Sequence, residues 1–253
     1  MTPNPSTATW EHLPRAPIVE ALLDIRVVFS SPPPIEQLGA LHEAIAHDYP
    51  IREKVVRWES ELQFRAPSPE VAFRSGPLGF ICRSADKLRA VQMREDGFTV
   101  NWLKPYRTWE DLRSAAKQHW ELYRTRLNPV KVGRLQVRYI NRIELPLPFN
   151  DFREFVRTAP DIAPELPQGL SALFLRLEIP DPRRKLVAII TETMEPPVDS
   201  GTRLPLIFDI DVLSHDPLDP SSPAIWDVFE QMREYKNEVF FRSITERGLE
   251  LFR

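Results

Sequence analysis

Apolar and polar residues alternate from Ile18 to Phe29. Val19, Ala21, Leu23, Ile25, Val27 and Phe29 fall on one side, and Glu20, Asp24 and Arg26 on the other. A period of two marks a strand with one covered and one wet face. The same alternation returns between Arg134 and Leu145, with Leu135, Val137, Tyr139, Ile143 and Leu145 on one side and Arg134, Gln136, Arg138 and Arg142 on the other. Asn141 interrupts the apolar row; an asparagine buried there must be hydrogen-bonded, and ordering a nearby loop or turn suits it better than ligand contact.

The elements after each of these strands run in a similar order. Ser31 and Pro32-Pro33-Pro34 open a helix carrying Leu38, Leu41, His42, Ile45 and Tyr49 at helical spacing. Strand-like runs follow at 55–65, 79–83, 88–94 and 98–103, the last two joined by the turn Glu95-Asp96-Gly97. Thr108, with Asp111 three residues on, caps a helix whose inner face is Trp109, Leu112, Ala116, Trp120, Tyr123 and Leu127 and which stops near Asn128-Pro129. After the second alternating strand come a shorter helix over 151–157, strands at 172–179, 186–192 and 206–213, and a last long helix opened by Ser222 and Pro223. Trp109-Glu110-Asp111-Leu112 is echoed by Trp226-Asp227-Val228-Phe229, and Tyr123 by Phe240 at the same offset.

This order predicts an α+β fold of two duplicated β-α-β(3-4)-α units. Their antiparallel strands form a curved sheet with the helices on one face, an arrangement analogous to the TATA-binding-protein-like fold. The expected divisions are a flexible tail over 1–13, a first half over 14–130 and a second over 131–253, the halves forming one compact body.

Composition narrows the function classes. Of 253 residues, 26 are proline and only 8 glycine, and the prolines sit at element edges, so they stiffen loops rather than build a linker. No glycine-rich phosphate cradle is present and no cofactor is expected. The net charge of −3 gives no global pull toward a polyanion. Cys82 is the single cysteine, which excludes an intrachain disulfide and fits a reducing compartment; its apolar run, Leu78-Gly79-Phe80-Ile81-Cys82, marks a buried thiol rather than a nucleophile. With no signal-peptide pattern at the start and no apolar run of membrane-spanning length, the expectation is a cytoplasmic protein with no membrane partner.

Two constellations carry candidate chemistry. Arg134, Gln136, Arg138 and Arg142 share one strand face, and with Arg26 from the equivalent first strand they would line a basic groove for phosphate or nucleic acid. The plainer alternative pairs these arginines with Asp24, Asp209 or Asp211 on the same wet face. Asp209 and Asp211, two apart on one strand, together with His215, Asp216 and Asp219 would hold a divalent metal and activate water. The plainer alternative leaves the strand aspartates facing solvent and makes Asp216 and Asp219 turn residues. The two site readings compete, because a carboxylate held by an arginine is a poor metal ligand. Trp109, Trp120 and Trp226 stand at core spacing. His42 and His47, five apart, do not share a helical face.

Three stretches, Arg15-Ala16-Pro17-Ile18-Val19-Glu20-Ala21, Val137-Arg138-Tyr139-Ile140-Asn141-Arg142-Ile143 and Asn237-Glu238-Val239-Phe240-Phe241-Arg242-Ser243-Ile244-Thr245, resemble a sporadically distributed bacterial family of unknown function. The resemblance runs from about Leu13 to the C-terminus and rests in the middle on Leu103-Lys104-Pro105-Tyr106 and Trp109. It implies a bacterial cytoplasmic origin and no particular activity. Where that family often carries a His-Asp pair, this chain has Glu234-Tyr235-Lys236.

Three functional readings follow. The first is a non-catalytic binding module whose open sheet face, through Arg26, Arg134, Arg138 and Arg142, engages a protein or nucleic-acid partner. The alternative is a metal-dependent hydrolase or nuclease using Asp209, Asp211 and His215. The third is a subunit of a homo-oligomer or hetero-complex that docks through the C-terminal helix, because adjacent Phe240 and Phe241 cannot both face one core.

Overall fold

A computed structural model describes residues 10–65 and 68–253, with side chains described outside 58–75. The tail expected over 1–13 therefore lies mostly outside the described residues. The elements are β1 (Ile18–Val28), α1 (Ile35–Leu41), β2 (Ile51–Arg65), β3 (Ser68–Arg83), β4 (Arg89–Arg94), β5 (Gly97–Leu103), α2 (Trp109–Leu127), β6 (Lys131–Pro146), β7 (Phe174–Asp181), β8 (Leu186–Met194), β9 (Arg203–Ser214), α3 (Ala224–Ser243) and α4 (Glu246–Glu250). The protein is mixed α+β with a large antiparallel sheet.

The chain forms two compact units. The first comprises Glu20–Gln136 and Ser214–Asp227; the second comprises the chain up to Val19, Val137–Leu213 and Val228–Arg253. In the first unit the strands run in the order β2-β3-β4-β5-β1, and in the second β6-β9-β8-β7.

In the first unit α2 covers the apolar strand face. Thr108 accepts from the Asp111 N–H and satisfies an orphan donor of the first turn, while Asn128, left-handed at φ 51°, ends the helix. The inner residues Trp109, Leu112, Ala116, Trp120 and Tyr123 are buried, as the helical spacing predicts. Phe98 of β5 lies 6.0 Å from the Trp120 ring and 5.7 Å from that of Tyr123, within the range of favourable aromatic pairs. Ala21, Leu23 and Ile25 of β1, Val91 and Met93 of β4, and Val100 of β5 complete this core. Burying each large apolar side chain contributes roughly 1.5–3 kcal/mol, so this face supplies most of the unit's driving force. Glu95 and Asp96 turn β4 into β5, and Gly97 follows because a Cβ there would stand 2.5 Å from the Ile25 carbonyl oxygen of β1.

In the second unit Val137, Tyr139, Ile143 and Leu145 of β6, Ala188 and Ile190 of β8, and Leu206, Phe208, Ile210 and Val212 of β9 form the covered face. Phe240 of α3 packs edge-on against Phe208 at 6.4 Å. Ser222 accepts from the Ala224 N–H at the start of α3.

Two helical expectations need correction. The helix expected to follow Ser31 is one short helix, α1, continued by a single 3-10 turn over His42–Ala44. The helix expected over 151–157 is only a 3-10 turn, Phe152–Glu154. Asp151 and Glu154 cap it reciprocally, but Val156 and Arg157 are drawn into pairing with the chain after α3: Val156 bridges Ile244, and the Arg157 N–H donates to the Ser243 carbonyl at 2.7 Å. Tertiary pairing outcompetes a helix of two turns.

Candidate functional site

The wet strand face of the first unit is built around a buried carboxylate. Asp24 is 4% exposed although it alternates away from the core. Antiparallel pairing of β1 with β5 sets Asp24 opposite Thr99, and the β4–β5 register sets Gln92 opposite Thr99 and Arg94 opposite Gly97. Arg94 Nη2 donates to Asp24 Oδ2 at 2.7 Å, and Thr99 Oγ1 donates to the same oxygen at 2.6 Å. Arg26 Nε donates to Asp24 Oδ1 at 3.1 Å, and Arg134 Nη2 stands 3.5 Å from that oxygen. Burial pushes the Asp24 pKa upward, but Arg94, Arg26 and the Thr99 hydroxyl overcome it and hold the group below its ordinary value.

The network continues outward along the strands. Asp96 accepts from Arg26, Arg94 and Arg57 at 2.6, 3.1 and 3.1 Å, and Glu95 accepts from Arg57 at 2.9 Å. From the covered side the Tyr123 hydroxyl donates to the Arg94 carbonyl at 2.6 Å. Arg26 and Arg134, joined as one face by the alternation, thus meet at a single aspartate.

In the second unit Arg138 grips Asp209 with two nitrogens: Nε donates at 3.0 Å to Oδ1 and Nη2 at 2.6 Å to Oδ2. Such bidentate geometry is the strong form of an arginine–carboxylate pair. Arg142 donates to Glu195 at 3.0 Å and to Glu144. Asn141, 2% exposed, donates to the Phe208 carbonyl at 2.9 Å and so meets the hydrogen-bond requirement of its burial. Asp211 lies two residues from Asp209 on β9. His215, Asp216 and Asp219 belong to the first unit, where His215 is exposed and Asp219 is a turn residue accepting from the Ser221 N–H and hydroxyl. Among the described residues no group of three or more His, Cys, Asp or Glu is placed to hold a metal ion. Phe241 stacks on Trp10, with centroids 5.2 Å apart and planes within 8°, so its ring is not bare.

Sequence reasoning missed two features. One is a recess of about 240 Å³ on the wet face of the first unit, lined by Glu20, Arg83, Lys87, Arg89, Gln92 and Asn101 among others. The turn that carries Lys87 is held by Ser84 and Asp86: the Ser84 hydroxyl donates to Asp86 at 2.6 Å, Asp86 accepts from the Leu88 N–H, and Ser84 Oγ accepts from the Arg89 N–H. Lys87 is left-handed at φ 60°. Asn101 Nδ2 donates to Glu20 at 2.7 Å, while its Oδ1 is buried with no hydrogen-bond partner. A basic residue on each side of the turn 84–88 was the only sequence signal, and the strand register was needed to bring Glu20 and Asn101 beside it.

The other is Glu192 of β8, which faces the covered side of the second unit, 1% exposed, with neither carboxylate oxygen hydrogen-bonded. Burial pushes its pKa up to about 7. On α3, Lys236 sets its amine 4.1 Å from the Tyr139 ring centroid, and burial, reinforced by Arg233, draws its pKa down to about 7.

No family model, no curated protein and no solved structure matches the chain.

Proposed function

We propose that this chain is a bacterial cytoplasmic, non-catalytic binding module that uses the wet face of its strands to take a peptide segment of a protein partner bearing an acidic group. The observation that carries this reading is the recess of the first unit, where Arg83, Lys87 and Arg89 outnumber Glu20. A peptide offers both complements: a carboxylate for the cations and backbone N–H groups for the Glu20 carboxylate. A phosphate backbone offers acceptors only. On the same face Arg26, Arg94 and Arg134 are engaged with Asp24, and in the second unit Arg138 and Arg142 are engaged with Asp209, Glu144 and Glu195, so a polyanion would have to displace carboxylates to reach them.

The reading includes a duplicated, TATA-binding-protein-like origin. It is supported by strand order: in the first unit the last strand of the meander, β5, lies beside the first strand β1, and in the second unit β9 lies beside β6. No helix of the described residues is long and apolar enough to cross a membrane.

Titration of isotopically labelled protein with a glutamate-containing hexapeptide, and separately with a short DNA duplex, tests the proposal. The peptide should shift the Lys87 and Leu88 amides and the Asn101 side-chain NH₂, and R83A/K87A should weaken it ~10-fold, the loss of about 1.4 kcal/mol. Shifts with the duplex alone would replace the protein partner by nucleic acid, and a silent recess in both titrations would remove the reading.

A further inference from the structure

We infer that the outer edge of β7 is a self-complementary pairing surface and that its partner is a second copy of this chain, joined strand to strand about a two-fold axis at Leu177. Strand β7 ends the strand order of its unit, and among the described residues it pairs with β8 alone. The direction of its main-chain groups follows from one bond. The Met194 N–H donates to the Leu173 carbonyl at 3.1 Å, and the register sets Phe174 opposite Thr193. In an antiparallel ladder, residues alternate between bonding the neighbour and pointing away from it. Leu173, Leu175, Leu177 and Ile179 therefore bond β8, while Phe174, Arg176, Glu178 and Pro180 direct their N–H and C=O groups outward.

This edge is neither short nor sealed. Phe174 is 71% exposed and Ile179 42%, and Leu175 and Leu177 are only half-buried although they share the covered side with Ala188 and Ile190. Arg176 and Glu178 lie on the opposite side, 3.3 Å apart and about half exposed. Exposed edges of this kind are templates for another strand.

The charges select the strand. In a two-fold antiparallel pair only outward-directed residues can exchange hydrogen bonds. Shifting the axis toward Phe174 sets Arg176 against Arg176 of the other copy; shifting it toward Pro180 sets Glu178 against Glu178. Centring it on Leu177 sets each Arg176 opposite Glu178 of the second copy, with both exchanging main-chain bonds, and lets each Phe174 N–H reach the opposite Pro180 carbonyl. The same register lays Leu175 against Ile179 and Leu177 against Leu177, covering the half-exposed apolar row. Cross-strand pairs of opposite charge and of apolar residues favour this alignment, and like charges oppose its neighbours. Pro180 has no N–H to give and stops the ladder there. An isologous contact also closes on itself, so the product is a dimer rather than a fibre.

Sedimentation equilibrium of the full chain over a range of concentrations tests the inference. The wild type should dimerise reversibly. R176E and E178R, each placing like charges across the axis, should each raise the dimer Kd at least ~10-fold, with unchanged circular dichroism because both side chains are half exposed. The charge swap R176E/E178R restores opposite pairing and should return the Kd to near the wild-type value. A strictly monomeric wild type, a dimer indifferent to R176E and E178R, or a double variant as weak as the singles would each overturn it.

Discussion

Arg94 and Asp24 meet at 2.7 Å on the strand face that the alternation of β1 assigns to solvent, yet their side chains are only 5% and 6% exposed. Removing one partner of a buried pair costs about 3–5 kcal/mol, and without Asp24 the buried Arg94 keeps only the part-exposed Asp96 at 3.1 Å, whereas replacing both partners by apolar groups is often neutral. D24A should therefore lower unfolding free energy by ~3 kcal/mol or more in urea titrations, and a D24L/R94M double variant should recover much of the loss. The pH dependence has a definite sign. The folded-state pKa of Asp24 lies below its unfolded value, so its contribution is complete above about pH 4 and is lost as pH falls through the folded pKa. The wild type should thus lose stability below pH 4 more steeply than D24L/R94M does.

Glu192 should show the opposite trend. Its folded pKa of about 7 exceeds the ordinary glutamate value of 4.5, so the folded state holds its proton more tightly than the unfolded chain. Stability should fall as pH rises from about 4.5 to about 7 and level off above that, with a total penalty of at most ~3 kcal/mol. E192Q removes the titration. Its unfolding free energy should be flatter across that window and exceed the wild type's by roughly 2 kcal/mol at pH 8, read from paired urea titrations at pH 5 and pH 8. Equal pH slopes in the two proteins would mean that the carboxylate reaches water.

These two residues mark where the sequence stops being legible. Period-two alternation in β1 and β6, and helical spacing in α2, is enough to place their covered faces, because burial of an apolar row is a local pattern. It places Asp24 on the wet side correctly but cannot show that Arg94 and Thr99 close over it, since that depends on the β4–β5 hairpin register. Glu192 follows an apolar run and carries no pattern of its own; only the strand register sets it opposite the buried Phe208 of β9. The recess is hidden for the same reason, as Glu20, Arg83 and Asn101 come from three strands. The expected helix over 151–157 fails because Val156 is claimed by Ile244, far along the chain.

Two substitutions separate backbone crowding from loss of a single bond. At Gly97 an added Cβ would stand 2.5 Å from the Ile25 carbonyl and 3.2 Å from the Arg26 Cα, so β1 and β5 would have to part where the Asp24 network sits. G97A should cost at least ~2 kcal/mol. T108A deletes one hydrogen bond at an exposed helix end and should cost only about 1 kcal/mol, leaving the fold intact. Thermal melts of the two variants should therefore differ clearly, and similar melts would show that β1 yields to the extra methyl.

Cys82 supplies a native probe of the first unit's opening. Its thiol is fully buried, and burial, opposed in part by Arg52, pushes its pKa up to about 11. Attack on a disulfide reagent requires both access and thiolate. At pH 8 the raised pKa alone cuts the thiolate fraction ~100-fold relative to an ordinary thiol, so labelling of the folded protein should be at least that much slower than labelling in denaturant. Because β3 lies between β2 and β4, the residual rate should follow local or global opening. G97A should accelerate it by the same factor by which it raises the open population. Fast stoichiometric labelling of the native wild type would show that this core is not closed.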